Sequence, residues 1–327
     1  MKDPIESKVN KWVQNGESRF SDINQRIIHL NHWLFSDYEP SLGPSSNFLK
    51  RLGNWLDNIT DEEDQKTLFE LIPYIFYMGR EELNVLYREA YHKVFAQWLI
   101  DEVKADFTSE TILADLNSEV ADTWFCPLTD SLRINQFYHI NDIPGKHDHR
   151  PDFRSLRTFG DIEKIKDYIS KSGIKRIVLL EDFIGNGGQV SKAVSFAADN
   201  LKEVPILIIP LIICPAGMKQ AIEFTETHQN IKIVPVVSIP DNYFVHEVQA
   251  DIELDFFKKV HVLAQKTYSQ VANSTVIDDN IDPYGPFGWR RTGGVIVMHT
   301  NTPNNTLPLI HNKSETWRPL FKRHKRV

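Results

Sequence analysis

Arg176-Ile-Val-Leu-Leu180-Glu181-Asp182-Phe-Ile-Gly185-Asn186-Gly187-Gly188-Gln189 leads straight into Val190-Ser-Lys-Ala193-Val194, where apolar residues begin to recur at helical spacing. The short apolar run Arg176 to Leu180 has the length and content of a buried strand. Two adjacent carboxylates follow it, then a Gly-rich turn, then a helix N-terminus. That order suits a sugar phosphate. Backbone N–H groups of the turn and the positive helix end can hold a phosphate, and glycines let the backbone approach it closely. The neighbouring carboxylates can accept hydrogen bonds from vicinal ribose hydroxyls, or help hold a hydrated Mg²⁺. In an open α/β sheet such a ligand belongs at the carboxyl ends of the strands. A dinucleotide site would need its glycines directly after the strand, where this chain has acids. A tight turn with no ligand is the plainer alternative.

On both sides of this stretch strands and helices alternate. TWFCPL around Cys126 reads as a strand, Gly160–Lys171 as a helix with Gly173 as its cap, and Val190–Leu201 as a helix with Val190, Ala193, Val194, Ala197 and Leu201 inward. Strands are expected at Ile206–Ile213 and Ile231–Val237 with a helix near Ala216–Thr227 between them, then a helix near Asp251–Ala272 and a last strand at Gly294–His299. Continuously apolar strands alternating with helices mean a parallel sheet covered on both faces, an α/β fold. The first 115 or so residues read as all-helical. Leu83, Leu86, Tyr87, Tyr91, Val94, Phe95 and Trp98 mark one buried face, and Phe20, Ile23, Ile27, Ile28, Leu30 and Trp33 mark another. Thr60 with Glu63 has the pattern of a capping box, and Pro73 should end the helix that follows. The expected organisation is therefore a helical interaction or regulatory domain over 1–115, an α/β domain over 116–312 and a basic C-terminal tail over 313–327.

The 327 residues carry 37 Lys+Arg against 44 Asp+Glu, with 41% hydrophobic and 25% charged residues, which excludes disordered and collagen-like classes. The net charge of −7 is unevenly spread. Residues 1–115 hold 12 basic and 20 acidic residues, whereas the last 15 hold six basic residues and one acid. A solvated end is the plain reading of that tail, and contact with nucleic acid is the sharper one. Cys126 and Cys214 both sit in apolar surroundings, which argues for buried thiols in a reducing compartment and against a disulfide scaffold or a Cys-based zinc site. The N-terminus lacks the apolar core of a secretory signal, and the longest apolar stretch, Val204 to Pro215, is too short to span a bilayer. A cytoplasmic protein without membrane contact is the expectation.

The run of apolar strand, two acids, three residues, a small polar residue and Gly-Gly resembles the 5-phosphoribosyl-1-pyrophosphate loop of type I phosphoribosyltransferases. Those enzymes usually read acid-Asp-x-x-x-Thr-Gly-Gly-Thr, where this chain has Glu181-Asp182-Phe-Ile-Gly185-Asn186-Gly187-Gly188-Gln189. The resemblance implies that Glu181 and Asp182 hold the ribose 2′- and 3′-hydroxyls as the catalytic pair. Gly185, Asn186, Gly187, Gly188 and Gln189 would cradle the 5′-phosphate. Asn186 and Gln189 stand where hydroxyl side chains are usual, and their amides can still donate.

Two further segments extend the resemblance. The loop after the first core strand, Leu128-Thr129-Asp130-Ser131-Leu-Arg133, occupies the place that holds pyrophosphate in such enzymes. Thr129 and Ser131 would donate to the leaving group and Arg133 would neutralise its charge, while a helix cap at Asp130 or Ser131 is the alternative. Asn141 to Arg154, polar and broken by prolines, suits a mobile lid with Lys146, Arg150 and Arg154 as its cations. His147 and His149 within it are solvated residues rather than metal ligands on this reading. At the other end, His299-Thr-Asn301-Thr-Pro303-Asn304-Asn305-Thr-Leu-Pro308 is similar to phosphoribosyltransferase-related proteins of bacterial conflict systems, including effectors encoded beside retron reverse transcriptases. There a nearby aromatic accompanies the run, a role Trp317 can fill.

From these resemblances the chain is expected to be the toxic effector of an antiphage retron. It would bind Mg²⁺-chelated phosphoribosyl pyrophosphate, or a nucleotide containing ribose 5-phosphate, and act at C1′. The alternative is a catalytically inactive nucleotide-binding module of the same fold in a defence complex. The implied partners are a reverse transcriptase, its multicopy single-stranded DNA and a winged-helix protein, with self-association left open. Mg²⁺ would come with the ligand and have no direct protein ligands.

Overall fold

The computed structural model describes residues 4–41, 47–143, 162–248, 251–272 and 284–324. The chain begins with helices α1 (Pro4–Gln14), α2 (Arg19–Trp33), α3 (Phe48–Leu56) and α4 (Glu62–Leu71). The cap of α4 is Asp61, not Thr60: its carboxylate accepts from Asp64 N at 3.0 Å. A carboxylate there satisfies a free amide and also faces the positive helix end, which a hydroxyl one residue earlier does not. Pro73 lies in a 3₁₀ turn (Ile72–Tyr74) that closes α4, and strand β1 (Phe76–Met78) follows. On α2, Phe20 and Ile27 are buried, but Ile28 is 50% and Trp33 67% exposed, so the apolar face is narrower than its spacing suggested.

Residues 81–240 form one compact unit. A long helical rod opens it: α5 (Arg80–Glu89), a π-helical turn (Ala90–Phe95) and α6 (Ala96–Val103). The turn inserts one residue into the helical register. Burial steps accordingly from Ala90 to Phe95, and Val94, expected inward, is only partly covered. Next come α7 (Ile112–Ala121), β2 (Thr123–Pro127), α8 (Ile134–Ile140), α9 (Ile162–Ser172), β3 (Arg176–Ile184) and α10 (Gly188–Asn200). Strand β4 (Ile206–Ile213), α11 (Pro215–Thr227), β5 (Ile231–Ile233) and β6 (Val237–Ser238) complete the unit. The expected strand 231–237 is thus two short ones. All pairings are parallel, in the order β2-β3-β4-β5, with β6 also on β4. One face buries Trp124, Ile177, Leu179, Ile206 and Ile208 against Ile165, Val194, Ala197 and Ala221 of the helices. On the other, Phe125 packs edge-on to Phe95 at 4.8 Å between ring centres and lies near Tyr91 and Phe137.

Strand β3 runs past its acids instead of ending at Leu180. The ladder register passes from Glu181↔Pro210 to Phe183↔Ile212, and Pro210 brings no N–H to it. Ile184 and Ile213 join the cluster of Ile177, Leu179, Ile206 and Ile208, although strict alternation would turn them to the opposite face. The buried cluster thus takes residues of opposite parity before and after the interval that holds Glu181, Asp182 and Pro210.

Residues 1–80 and 241–327 form the other compact unit. Its later elements are α12 (Asp255–Ala272), β7 (Ile296–Met298) and α13 (Pro308–His311). Strand β7 is not the last strand of the main sheet; it pairs in parallel with β1, Tyr77 opposite Val297. The core joins Trp12, Phe20, Phe35, Leu52, Trp55 and Phe69 from the first helices to Phe257, Val260 and Leu263 of α12 and to Val297, Leu309 and Ile310. Trp317, Leu320 and Phe321 are fully buried in it as well, so the segment from Lys313 is an anchored part of this unit and not a solvated tail. Lys313, Arg318 and Lys322 remain exposed on it, and Lys325 and Arg326 lie outside the described residues.

These divisions differ from the 115/116 and 312/313 boundaries read from texture. The first strand of the main sheet marks where strands begin, but the helices that cover it, α5 to α7, precede it. Periodicity shows that a helix has a buried face, not which core that face meets. Among the described residues, no helix is long and apolar enough to cross a membrane.

Candidate phosphoribosyl site

Glu181 and Asp182 are 3% and 7% exposed. The β2–α8 loop closes over them. Thr129 N donates to Glu181 Oε2 at 3.0 Å, and Thr129 Oγ1 donates to Oε1 at 2.7 Å. Ser131 Oγ lies 2.7 Å from Asp182 Oδ1, 3.1 Å from Glu181 Oε1 and 2.8 Å from Thr129 Oγ1. In a regular strand adjacent side chains point to opposite faces, so one hydroxyl could not reach both acids. Ser131 does reach both, so Glu181 and Asp182 depart from that strict alternation. Ser131 has a single proton for these acceptors, so the two carboxylates share one donor.

Burial is the main cause that raises the Glu181 carboxyl well above the ordinary glutamate value of 4.5; the charge of Asp182 adds to it, and the hydrogen bonds from Thr129 and Ser131 pull the other way. Tyr87 of α5 belongs to the same cluster. Its buried phenol is raised by desolvation first and then by the Asp182 charge, and it takes a hydrogen bond from the Arg133 backbone. The helical spacing identified Tyr87 only as a core residue. Its neighbourhood depends on the fold, and nothing in the local sequence signals it.

The raised carboxyl has a measurable consequence. An unfolded chain ionises Glu181 near 4.5, whereas the folded chain keeps its proton to higher pH, so folding stability falls as pH rises above 4.5. His311, pushed down to about 3 chiefly by burial, acts oppositely below its ordinary 6.5: the folded chain stays neutral while the unfolded chain protonates. The difference between wild type and Glu181→Gln isolates the glutamate. Urea midpoints between about pH 5 and about pH 8 should show the variant gaining on wild type as pH rises. Parallel profiles would mean that Glu181 is ionised throughout.

The turn after β3 is built as the sequence suggests. Gly187 is left-handed (φ +76°) and α10 starts at Gly188. Asn186 Oδ1 accepts from Gly188 N at 3.2 Å, while its Nδ2 is buried without a partner. Gln189 is the second residue of α10. The structure thus brings Glu181, Asp182, Thr129 and Ser131 together at β3, with Gly185–Gly188 directly after. Thr129 and Ser131, expected to face a leaving group, here hold the acids instead. Asp130 and Arg133 are exposed on the same loop, and the lid cations Lys146, Arg150 and Arg154 lie outside the described residues.

The C-terminal asparagines belong to the unit of residues 1–80 and 241–327, and their hydrogen bonds to His324, Trp289 and Thr292 stay within it. Asn301 Nδ2 donates to His324 O at 2.9 Å and its Oδ1 accepts from His324 N at 3.0 Å. Asn304 O accepts from Trp289 N at 2.8 Å, and Asn305 Nδ2 donates to Thr292 Oγ1 at 2.9 Å. Sequence reasoning also missed Gly217 and Gln220 of α11, which pack against the turn from behind. Their signal is spatial: the two lie about thirty residues from the turn they touch.

Among the described residues, no three His, Cys, Asp or Glu side chains converge as a metal site. Two adjacent carboxylates beside a Gly-rich turn have the donor chemistry to fit a hydrated Mg²⁺ carried in by a ligand.

A parallel sheet with paired acids on its central strand, followed by a Gly-rich turn into a helix N-terminus, defines a phosphoribosyltransferase-type α/β fold. The chain belongs to the PRTase-CE family, phosphoribosyltransferase-like effectors, whose family model matches residues 52–323. That match includes parts of both compact units. Comparison with curated proteins and with solved structures gave no match.

Proposed function

We propose that residues 81–240 bind a phosphoribosyl group, as 5-phosphoribosyl-1-pyrophosphate or a nucleotide containing ribose 5-phosphate, and act at its C1′ carbon. The observation that carries this reading is the placement of Glu181 and Asp182 immediately before the Gly185–Gly188 turn at the start of α10. On this reading the acids accept hydrogen bonds from the ribose hydroxyls and the turn holds the 5′-phosphate. A Mg²⁺ bound with the ligand would neutralise pyrophosphate charge. The chain's own part is to orient the sugar and to shield C1′ from water. Thr129 and Ser131 must then release the acids as the ligand enters, which frees their hydroxyls for the pyrophosphate.

A second reading, a nucleotide-binding module without turnover, is favoured by one observation: both hydroxyls of the β2–α8 loop are already spent on Glu181 and Asp182. Isothermal titration of wild type with phosphoribosyl pyrophosphate and Mg²⁺, followed by product analysis, tests both. Binding with release of pyrophosphate or base supports the first reading, binding alone the second, and no binding overturns both.

We further propose the setting of an antiphage retron, with this chain as its toxic arm in the cytoplasm, held by a reverse transcriptase and multicopy single-stranded DNA, with a winged-helix protein as a third component. The His299–Pro308 run supports that setting. The exposed Lys313, Arg318 and Lys322 offer a nucleic-acid contact, and the acidic first 115 residues a protein contact. Co-purification of the chain with such components from its native host would test it.

A further inference from the structure

The phosphate-holding turn has a back wall as well as a front. Helix α11 presents Gly217 and Gln220, three residues apart and therefore on one face, to the segment Ile184–Gly187. A Cβ on Gly217 would stand 2.7 Å from Ile184 Cγ2 and 2.9 Å from Gly185 O, too close for any side chain. A Cβ on Gly187 would run into Gln220 Oε1, and its φ of +76° already favours glycine. The turn and the helix thus touch through two glycines, one on each side, with the Gln220 amide filling the space between.

That amide is held at a cost. Gln220 Oε1 is shielded from solvent and accepts no hydrogen bond, and Asn186 Nδ2 on the turn is a shielded donor without an acceptor. Behind the turn a gap of about 20 Å³ remains, lined by Ile184, Gly187, Ser191, Gly217, Gln220 and Phe224. A side chain that makes no hydrogen bond at this place, yet stands directly against Gly187, acts by its bulk. We propose that Gln220, with Gly217, is a positioning residue that fixes the height of the turn so that its backbone N–H groups meet a phosphate.

The inference rests on the phosphoribosyl reading, and two readouts separate their failures. Hydrogen exchange of a peptide spanning residues 183–190 reports the turn without ligand, and titration with phosphoribosyl pyrophosphate and Mg²⁺ reports the site. Gln220→Ala should speed exchange of the turn and weaken binding about tenfold or more, since small misplacements of binding groups carry costs of that order. Gln220→Met, which keeps length and bulk without the amide, should restore both. An alanine variant with wild-type exchange and affinity overturns the proposal, as does a methionine variant that behaves like alanine. Faster exchange in the alanine variant, rescued by methionine, in a wild type that binds no phosphoribosyl pyrophosphate supports the positioning role and overturns the ligand reading instead.

Discussion

Alanine at both Glu181 and Asp182 should reduce phosphoribosyl pyrophosphate binding by roughly 100- to 10,000-fold. Hydrogen bonds to charged groups are worth about 1.5–3 kcal/mol each, and two of them are lost, at about 1.4 kcal/mol per factor of ten. The fold should survive the change. The acids lie inside a strand whose ladder is made by backbone, and the ionised form of Glu181 is disfavoured in the unliganded fold by burial and by the charge beside it. Removing it relieves that cost and leaves Thr129 and Ser131 free to hydrogen-bond each other, 2.8 Å apart. Titration shows the loss and circular dichroism the intact fold. Unchanged affinity would remove the ribose-binding role, and a double variant that kept full cellular toxicity would remove the catalytic one.

The largest expected effect on stability comes from the other unit. Trp317→Ala should cost about 3–5 kcal/mol, the usual range for a buried Trp truncated to Ala. The indole is completely buried, and its Nε1 donates to Leu309 O at 2.9 Å. Trp55 Nε1 donates to the same oxygen at 2.7 Å, so one carbonyl of α13 ties the N-terminal helices and the C-terminal segment together. Arg318→Ala, one residue on and exposed, should change stability by less than about 0.5 kcal/mol. Urea denaturation of the two variants makes the comparison. Equal midpoints would mean that the segment after Lys313 is a tail after all.

That segment shows how reading a sequence by texture fails. Six basic residues among fifteen dominate its composition, and Trp317, Leu320 and Phe321 are spaced among them like chance apolar residues. Only a partner surface distinguishes an anchor from a decoration, and that surface comes from helices more than 200 residues earlier. The same holds for β7. Its apolar run is what a buried parallel strand requires, and it is one, but its partner is Phe76–Met78, too short to announce itself. By contrast, the stretch from Arg176 to Gln189 was readable because its order is local: strand, acids, turn and helix follow each other directly. What it could not reveal was Pro210 across the ladder, or that the hydroxyls of Thr129 and Ser131 would be turned to the acids. Glu181 and Ser131 are 50 residues apart, and no spacing rule connects them. Asp61 in place of Thr60 is a smaller lesson, a choice between two adjacent caps decided by the reach and charge of a carboxylate.

Residues 81–240 lie as an insertion within a unit made from both sides of them, and this sets an order of events during synthesis. A ribosome delivers everything the inserted sheet needs once residue 240 has emerged, whereas the helices made first have no complete core until Val297, Leu309 and Trp317 follow. Domains fold as units as the chain emerges, so the later-begun part is finished first. The apolar faces of α1 to α4 wait through the whole synthesis of the sheet. The candidate phosphoribosyl site is assembled before the fold that encloses its sequence is complete.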